Sequence, residues 1–194
     1  LQMSAVAIVN QLIMVLNLCI FGALAGIGIF AAQYYGAGDE KGFRHCFRAK
    51  TIVGVAVVAI SSVVFYIFSE PMISIYISAD TLQSDAQLTL KYATEYLRIM
   101  IIGLLPFAIS QVFGSTLREM GETKLPMVAS VTAIFVNLIF NYLLIFGSFG
   151  FPKLGVAGAA IATVMSRYVE TIILIALTVV HRKKYVFIIG AFKS

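Results

Sequence analysis

Charged residues are scarce in this sequence, and so are the residue types that build most metal sites and disulfides. Of 194 residues only 12% are charged, with two histidines, two cysteines and no tryptophan, whereas soluble domains carry about 25% charged residues. His45 and His181 lie in basic segments without acidic or thiol neighbours at ligand spacing, so we expect no metal site. Cys19 falls in an apolar run and Cys46 in a basic segment, which disfavours a disulfide.

The sequence also lacks the motifs of enzymes and of nucleic-acid-binding surfaces. It contains no Ser/His/Asp order, no GKS/T phosphate loop and no HExxH, so we expect neither an enzyme nor a bound cofactor. A net charge of +5 is compatible with nucleic-acid binding, but the basic residues flank apolar runs instead of forming one face. We therefore expect the lipid bilayer as a partner and no nucleic acid.

Long apolar segments make up most of the chain, which is 60% hydrophobic. Each of five segments is long enough for a transmembrane helix, which needs about 20 apolar residues. The sequence therefore predicts an all-α, polytopic membrane helix bundle, with Pro106 bending the third span. Because the chain begins inside the first span, we expect a fragment with at least one helix upstream and more downstream. The predicted spans are 2–34, 51–69, 93–117, 125–146 and 155–180.

Positive charge is distributed unevenly among the connections between these spans. Segments 36–50, 117–124 and 181–193 hold ten of the fourteen Lys and Arg residues. The alternating segments 70–92 and 147–154 hold only one lysine each. Since cytoplasmic connections carry an excess of Lys and Arg, we expect the three basic connections in the cytoplasm, with their charges, Lys50 included, at the headgroup surface.

Polar side chains within the apolar spans are the candidate functional residues. Asn137 and Asn141 lie one helical turn apart, with Ser130 on the same stripe. An unsatisfied amide in hydrocarbon costs several kcal/mol, so this stripe either packs against another helix or lines a wet cavity, and the pattern leaves both open. Gln111 and Ser115 form a second polar pair at the same spacing.

Arg167 and Glu170 lie deep in the fifth span, one turn apart, and we predict an ion pair between them. Ionisable residues at such depth are functional candidates. The alternative is a neutralised pair that only supports the bundle. Earlier in the same span, Gly155, Gly158 and Ala162 form a small-residue face that a neighbouring backbone can approach closely.

Three segments together resemble the multidrug and toxic compound extrusion (MATE) family: AQYYGAGD at 32–39, LREMGETKLPM at 117–127 and NLIFNYLLIFGSFGFPKLGVAGAAIAT at 137–163. The resemblance covers nearly the whole chain. It implies that residues 1–194 are part of a six-helix N-terminal lobe, about family helices 2 to 6, which the C-terminal lobe of the same chain completes. It also implies a multi-pass protein of the plasma membrane, or of the inner membrane in a Gram-negative bacterium.

For function, the resemblance implies an antiporter that exports drugs and other organic compounds in exchange for H⁺ or Na⁺ by alternating access. The alternative within the superfamily is a lipid-linked oligosaccharide flippase. The family match implies a substrate or ion cavity lined by Asn137 and Asn141, together with Gln111 and Thr163. Many family members carry Asp where Asn141 stands, and an Asn side chain cannot titrate.

Overall fold

The described part of the chain is a bundle of α-helices. A computed structural model describes residues 2–76, 83–147, 152, 154–181, 185 and 188. Within these residues, four helices are long and apolar enough to cross a membrane, and two shorter helices that meet at an angle form a bent fifth candidate span. The predicted all-α polytopic fold is confirmed. The helices are α1 Gln2–Gly36, α2 Glu40–Ile67, α3 Ser69–Ser74, α4 Gln83–Ile102, α5 Leu104–Glu119, α6 Lys124–Phe146 and α7 Val156–Val180.

The third predicted span is broken at Gly103, where α4 and α5 meet at 47°. Pro106 lies in the first turn of α5, where a residue needs no N–H partner, so the chain accommodates the proline by starting a new helix. The bend therefore comes three residues before the proline that predicts it. Helix α7 packs directly on this break, because a Cβ at Gly103 would lie 2.9 Å from Val164 Cγ2.

The basic segment expected as a surface connection is instead the beginning of α2. Gly38 has φ +71° and turns the chain. The Asp39 side chain then accepts hydrogen bonds from the backbone N–H groups of Lys41 at 3.0 Å and Gly42 at 3.1 Å. This N-cap starts a helix that continues without interruption into the apolar span. Lys50 consequently lies inside a helix and not in a connection.

Helices α6 and α7 approach each other closely at the predicted small-residue face. A Cβ at Gly158 would lie 2.7 Å from the carbonyl oxygen of Leu144, and Ala162 is fully buried. The close approach predicted for this face is confirmed at Gly158 but not at Gly155, where a Cβ would meet nothing within 4 Å. The connection 147–154 and the basic segment 181–193 lie largely outside the described residues. Their predicted placement on opposite sides of the membrane therefore stays a prediction.

Candidate functional site

A chain of hydrogen bonds links the predicted amides of α6 to α7. The Asn141 Nδ2 donates to Asn137 Oδ1 at 2.9 Å, and Asn137 Nδ2 donates to Thr163 Oγ1 at 3.4 Å. The Thr163 hydroxyl in turn donates to the backbone carbonyl of Ala159 at 2.9 Å. Three of the four predicted cavity residues therefore form one cluster at the α6–α7 contact.

One acceptor of this cluster is left over. The Oδ1 atom of Asn141 is buried and has no hydrogen-bond partner among the described residues. An amide oxygen can accept two hydrogen bonds or coordinate a cation, and leaving a buried acceptor unsatisfied costs about 1–3 kcal/mol. Asn141 thus presents an oxygen that a cation or an N–H donor would stabilise.

Gln111, the fourth predicted residue, does not join the cluster. It lies on α5 and lines a separate cavity of about 280 Å³ between α1 and α5. The resemblance placed Gln111 with the asparagines, but the structure divides the predicted residues between two places.

The predicted ion pair between Arg167 and Glu170 is not formed in the described structure. Glu170 Oε1 accepts from the Ser130 hydroxyl on α6 at 2.6 Å. The guanidinium of Arg167 lies over the Phe107 ring, 4.8 Å from its centroid, and donates from Nη1 to the Gly103 carbonyl at 3.4 Å. The two side chains leave α7 in different directions, because each finds a partner on another helix.

Thr171 makes an interhelical contact that sequence reasoning missed. Its buried hydroxyl lies 2.6 Å from the Pro106 carbonyl oxygen in the first turn of α5 and 2.9 Å from the Arg167 carbonyl oxygen of its own helix. Together with Arg167, which contacts the Gly103 carbonyl, it attaches α7 to the break and to the beginning of α5. A threonine in an apolar helix usually bonds its own backbone, so its spacing gives no signal of this contact.

Sequence reasoning also missed the burial of Lys50, the least exposed charged residue of the described structure. Lys50 is 0% exposed, and its Nζ donates to both carboxylate oxygens of Glu119 on α5 and to Ser115 Oγ at 3.4 Å. Helix α1 covers the pair at Gly28, where a Cβ would collide with Glu119 Oε1. The expectation that Lys50 faces the headgroups is therefore wrong.

A signal for Glu119 was present in the sequence. Gln111, Ser115 and Glu119 follow each other at four-residue spacing and so share one face of α5. The first two were recognised as a polar pair, whereas Glu119 was assigned to the turn that follows. No spacing rule could identify Lys50 as its partner, because the two residues meet only through tertiary packing.

A wider cavity of about 740 Å³ lies between α3 and α4 and is lined by Glu70, Lys91, Glu95 and Arg98 among others. All four side chains are exposed, and no ion pair joins them within the described ranges. Across the described part of the chain, no group of three or more His, Cys, Asp or Glu side chains is arranged to hold a metal ion.

Comparisons with known proteins point to one family. A family model described as MatE matches residues 1–143. The chain is 33% identical over 171 residues to "Probable multidrug resistance protein NorM" of Thermotoga maritima, covering 86% of this chain and 34% of that protein. It is 30% identical over 166 residues to a protein of the same name from Bacillus licheniformis, covering 84% and 34%.

A third relative, "Uncharacterized transporter YisQ" of Bacillus subtilis, is 28% identical over 192 residues, covering 94% of this chain and 38% of that protein. The chain thus spans about a third of the length of the curated relatives that it matches. No solved structure matches it significantly.

Proposed function

Because this chain belongs to the MatE family, we propose that it is part of a transporter that exports drugs and other organic compounds in exchange for H⁺ or Na⁺. In this proposal, residues 1–194 form most of an N-terminal lobe, and a C-terminal lobe of the same protein completes the alternating-access machinery. The protein is a multi-pass membrane protein, and we place it in the plasma membrane, or in the inner membrane of a Gram-negative cell.

The observation that carries the proposal is the unpartnered Oδ1 of Asn141 in the α6–α7 cluster. A structural amide between two helices would satisfy both its donor and its acceptor. Here the donor is used, and the oxygen is held in place by the bond from Nδ2 to Asn137. A fixed, neutral acceptor inside an apolar bundle suits a ligand that brings a positive charge or an N–H group.

Replacing Asn141 with leucine tests this role in the intact transporter. We expect folding to be retained and ethidium efflux per folded molecule to fall about tenfold, since one lost hydrogen bond to a charged ligand is worth about 1.5 kcal/mol or more. Asn10→Leu is the matched control, because Asn10 is an exposed amide of α1 and its loss is expected to leave efflux unchanged.

Asn141→Asp extends the same test. If Asn141 contacts a ligand, a carboxylate there is tolerated and adds a pH dependence to efflux, because Asp titrates and Asn does not. A destabilised Asn141→Asp protein whose efflux per folded molecule equals that of the parent would show that the amide only joins α6 to α7.

The orientation of the helices is tested by cysteine labelling. We expect Glu70→Cys, in an otherwise cysteine-free transporter, to react with an impermeant maleimide from outside the cell. We expect His45→Cys to react only after permeabilisation, because basic segments that flank a span stay in the cytoplasm. Both positions are exposed, whereas the native Cys46 is buried and is a poor reporter. External labelling at position 45 would reverse the proposed topology.

A further inference from the structure

The cavity between α1 and α5 has two chemically different walls. Helix α1 contributes apolar side chains, among them the ring of Phe21, and α5 contributes Gln111, Ser115, Arg118 and Glu119. Its volume of about 280 Å³ is near the lower end of small-molecule pockets, which begin at about 300 Å³. A ligand of one or two fused rings fits this space.

The charges of the cavity are arranged so that one cation is left over. Lys50 binds both carboxylate oxygens of Glu119, and these two charges cancel. The side chain of Arg118, the neighbour of Glu119, is exposed and makes no hydrogen bond or ion pair with any described residue, and its Nη2 lies 3.8 Å from the β-position of Gly114. The guanidinium therefore extends back along α5, towards the part of the cavity that contains Gln111.

The Gln111 side chain also has no hydrogen-bond partner within the described ranges, so its amide is available to a ligand. The free donors of the cavity are thus a planar guanidinium and an amide, opposite an aromatic ring. A guanidinium binds a carboxylate through two parallel N–H···O bonds, and the Phe21 ring offers a flat apolar surface to the rest of such a molecule.

We propose that this cavity binds the carboxylate of an aromatic organic acid, with Arg118 as its main ligand and Gln111 as a second donor. Lys50 is a positioning residue: by holding Glu119, it prevents that carboxylate from pairing with Arg118. The inference goes beyond the proposed export function, because this anion site is separate from the Asn141 oxygen, which suits a cation or an N–H donor.

The test measures binding of 2-naphthoate to the intact transporter in phosphatidylcholine nanodiscs, with 2-naphthylmethylammonium as the probe of opposite charge. We expect naphthoate to bind and the ammonium to bind at least about tenfold more weakly, and Arg118→Gln to weaken naphthoate binding about tenfold or more. Lys41→Met is the matched control for the lysine variants, because Lys41 is an exposed residue of α2.

The variants of the ion pair give the most specific result. Lys50→Met frees Glu119 to compete for Arg118, so naphthoate binding is expected to weaken about tenfold. The double variant Lys50→Met/Glu119→Gln removes the competitor as well, and binding is expected to return to within about twofold of the parent. If Lys50→Met alone does not fold, the double variant, which carries neither charge of the pair, still tests the inference. Its naphthoate affinity is then compared with that of Arg118→Gln.

Three outcomes would overturn the inference. The first is parental affinity in Arg118→Gln, and the second is a double variant that binds as weakly as Arg118→Gln. The third is that phosphatidic acid, added to the nanodiscs in a parallel measurement, saturates the site and naphthoate cannot displace it. The last result would assign the cavity to a lipid phosphate. Normal ethidium export without naphthoate binding rejects this inference alone. Naphthoate binding by a protein that exports nothing rejects only the proposed function.

Discussion

Replacing Glu119 with glutamine is expected to lower the free energy of unfolding by about 3–5 kcal/mol, because removing one partner of a buried ion pair leaves the other charge uncompensated. The remaining charge is the Lys50 ammonium, which is 0% exposed and cannot move to water without breaking the packing of α2 against α5. Glutamine still offers one oxygen to the ammonium but supplies no negative charge.

The matched control is Glu40→Gln, which breaks the ion pair between Glu40 and Arg44. That pair is 2.9 Å long, but the Glu40 side chain is 49% exposed, so its loss is expected to cost less than about 1 kcal/mol. Thermal unfolding of the intact transporter in detergent measures both variants. Equal, small losses of unfolding free energy in the two variants would mean that water or another group compensates the Lys50 charge, which contradicts the burial of that side chain.

The second large effect is expected for Gly158→Ala, at about 1–3 kcal/mol of destabilisation. The added methyl would lie 2.7 Å from the Leu144 carbonyl oxygen, and a backbone atom inside a helix cannot rotate away. Helices α6 and α7 must therefore separate. The Asn137–Thr163 hydrogen bond across the same contact is already 3.4 Å long, so we expect it to be lost and efflux per folded molecule to fall as well.

Gly22→Ala provides the comparison, since a Cβ at Gly22 meets nothing within 4 Å. There the same substitution is expected to stabilise α1 by up to about 1 kcal/mol, because alanine has the higher helix propensity. The two variants thus have opposite predicted signs in one unfolding assay. Equal stability of both would show that α6 and α7 separate without cost.

Helix content and the number of spans follow from the sequence, because a charge-free run in a bilayer has to satisfy its backbone internally and an α-helix does so. The bend in the third span was also predictable from Pro106, although the break itself lies at Gly103. Local contacts were predictable too: the hydrogen bond between Asn137 and Asn141 joins residues whose spacing alone places them on one face.

Partners on other helices were not predictable. Arg167 and Glu170 have the spacing of a local pair, but Phe107 and Ser130 on neighbouring helices bind them instead. Lys50 follows a basic segment and precedes an apolar one, which is the pattern of an interfacial lysine. Only the packing of α2 against α5 shows that it is buried, since no feature of either helix sequence specifies how the two are juxtaposed.

Helix α7 bonds in two directions within about two turns. Thr163 and Glu170 contact α6 at Asn137 and Ser130, while Arg167 and Thr171 hold the bend between α4 and α5. A substitution at any of these positions disturbs a specific partner on another helix. We therefore expect evolutionary change here to be paired between helices, so that a change at position 163 accompanies one at 137, and a change at 170 accompanies one at 130.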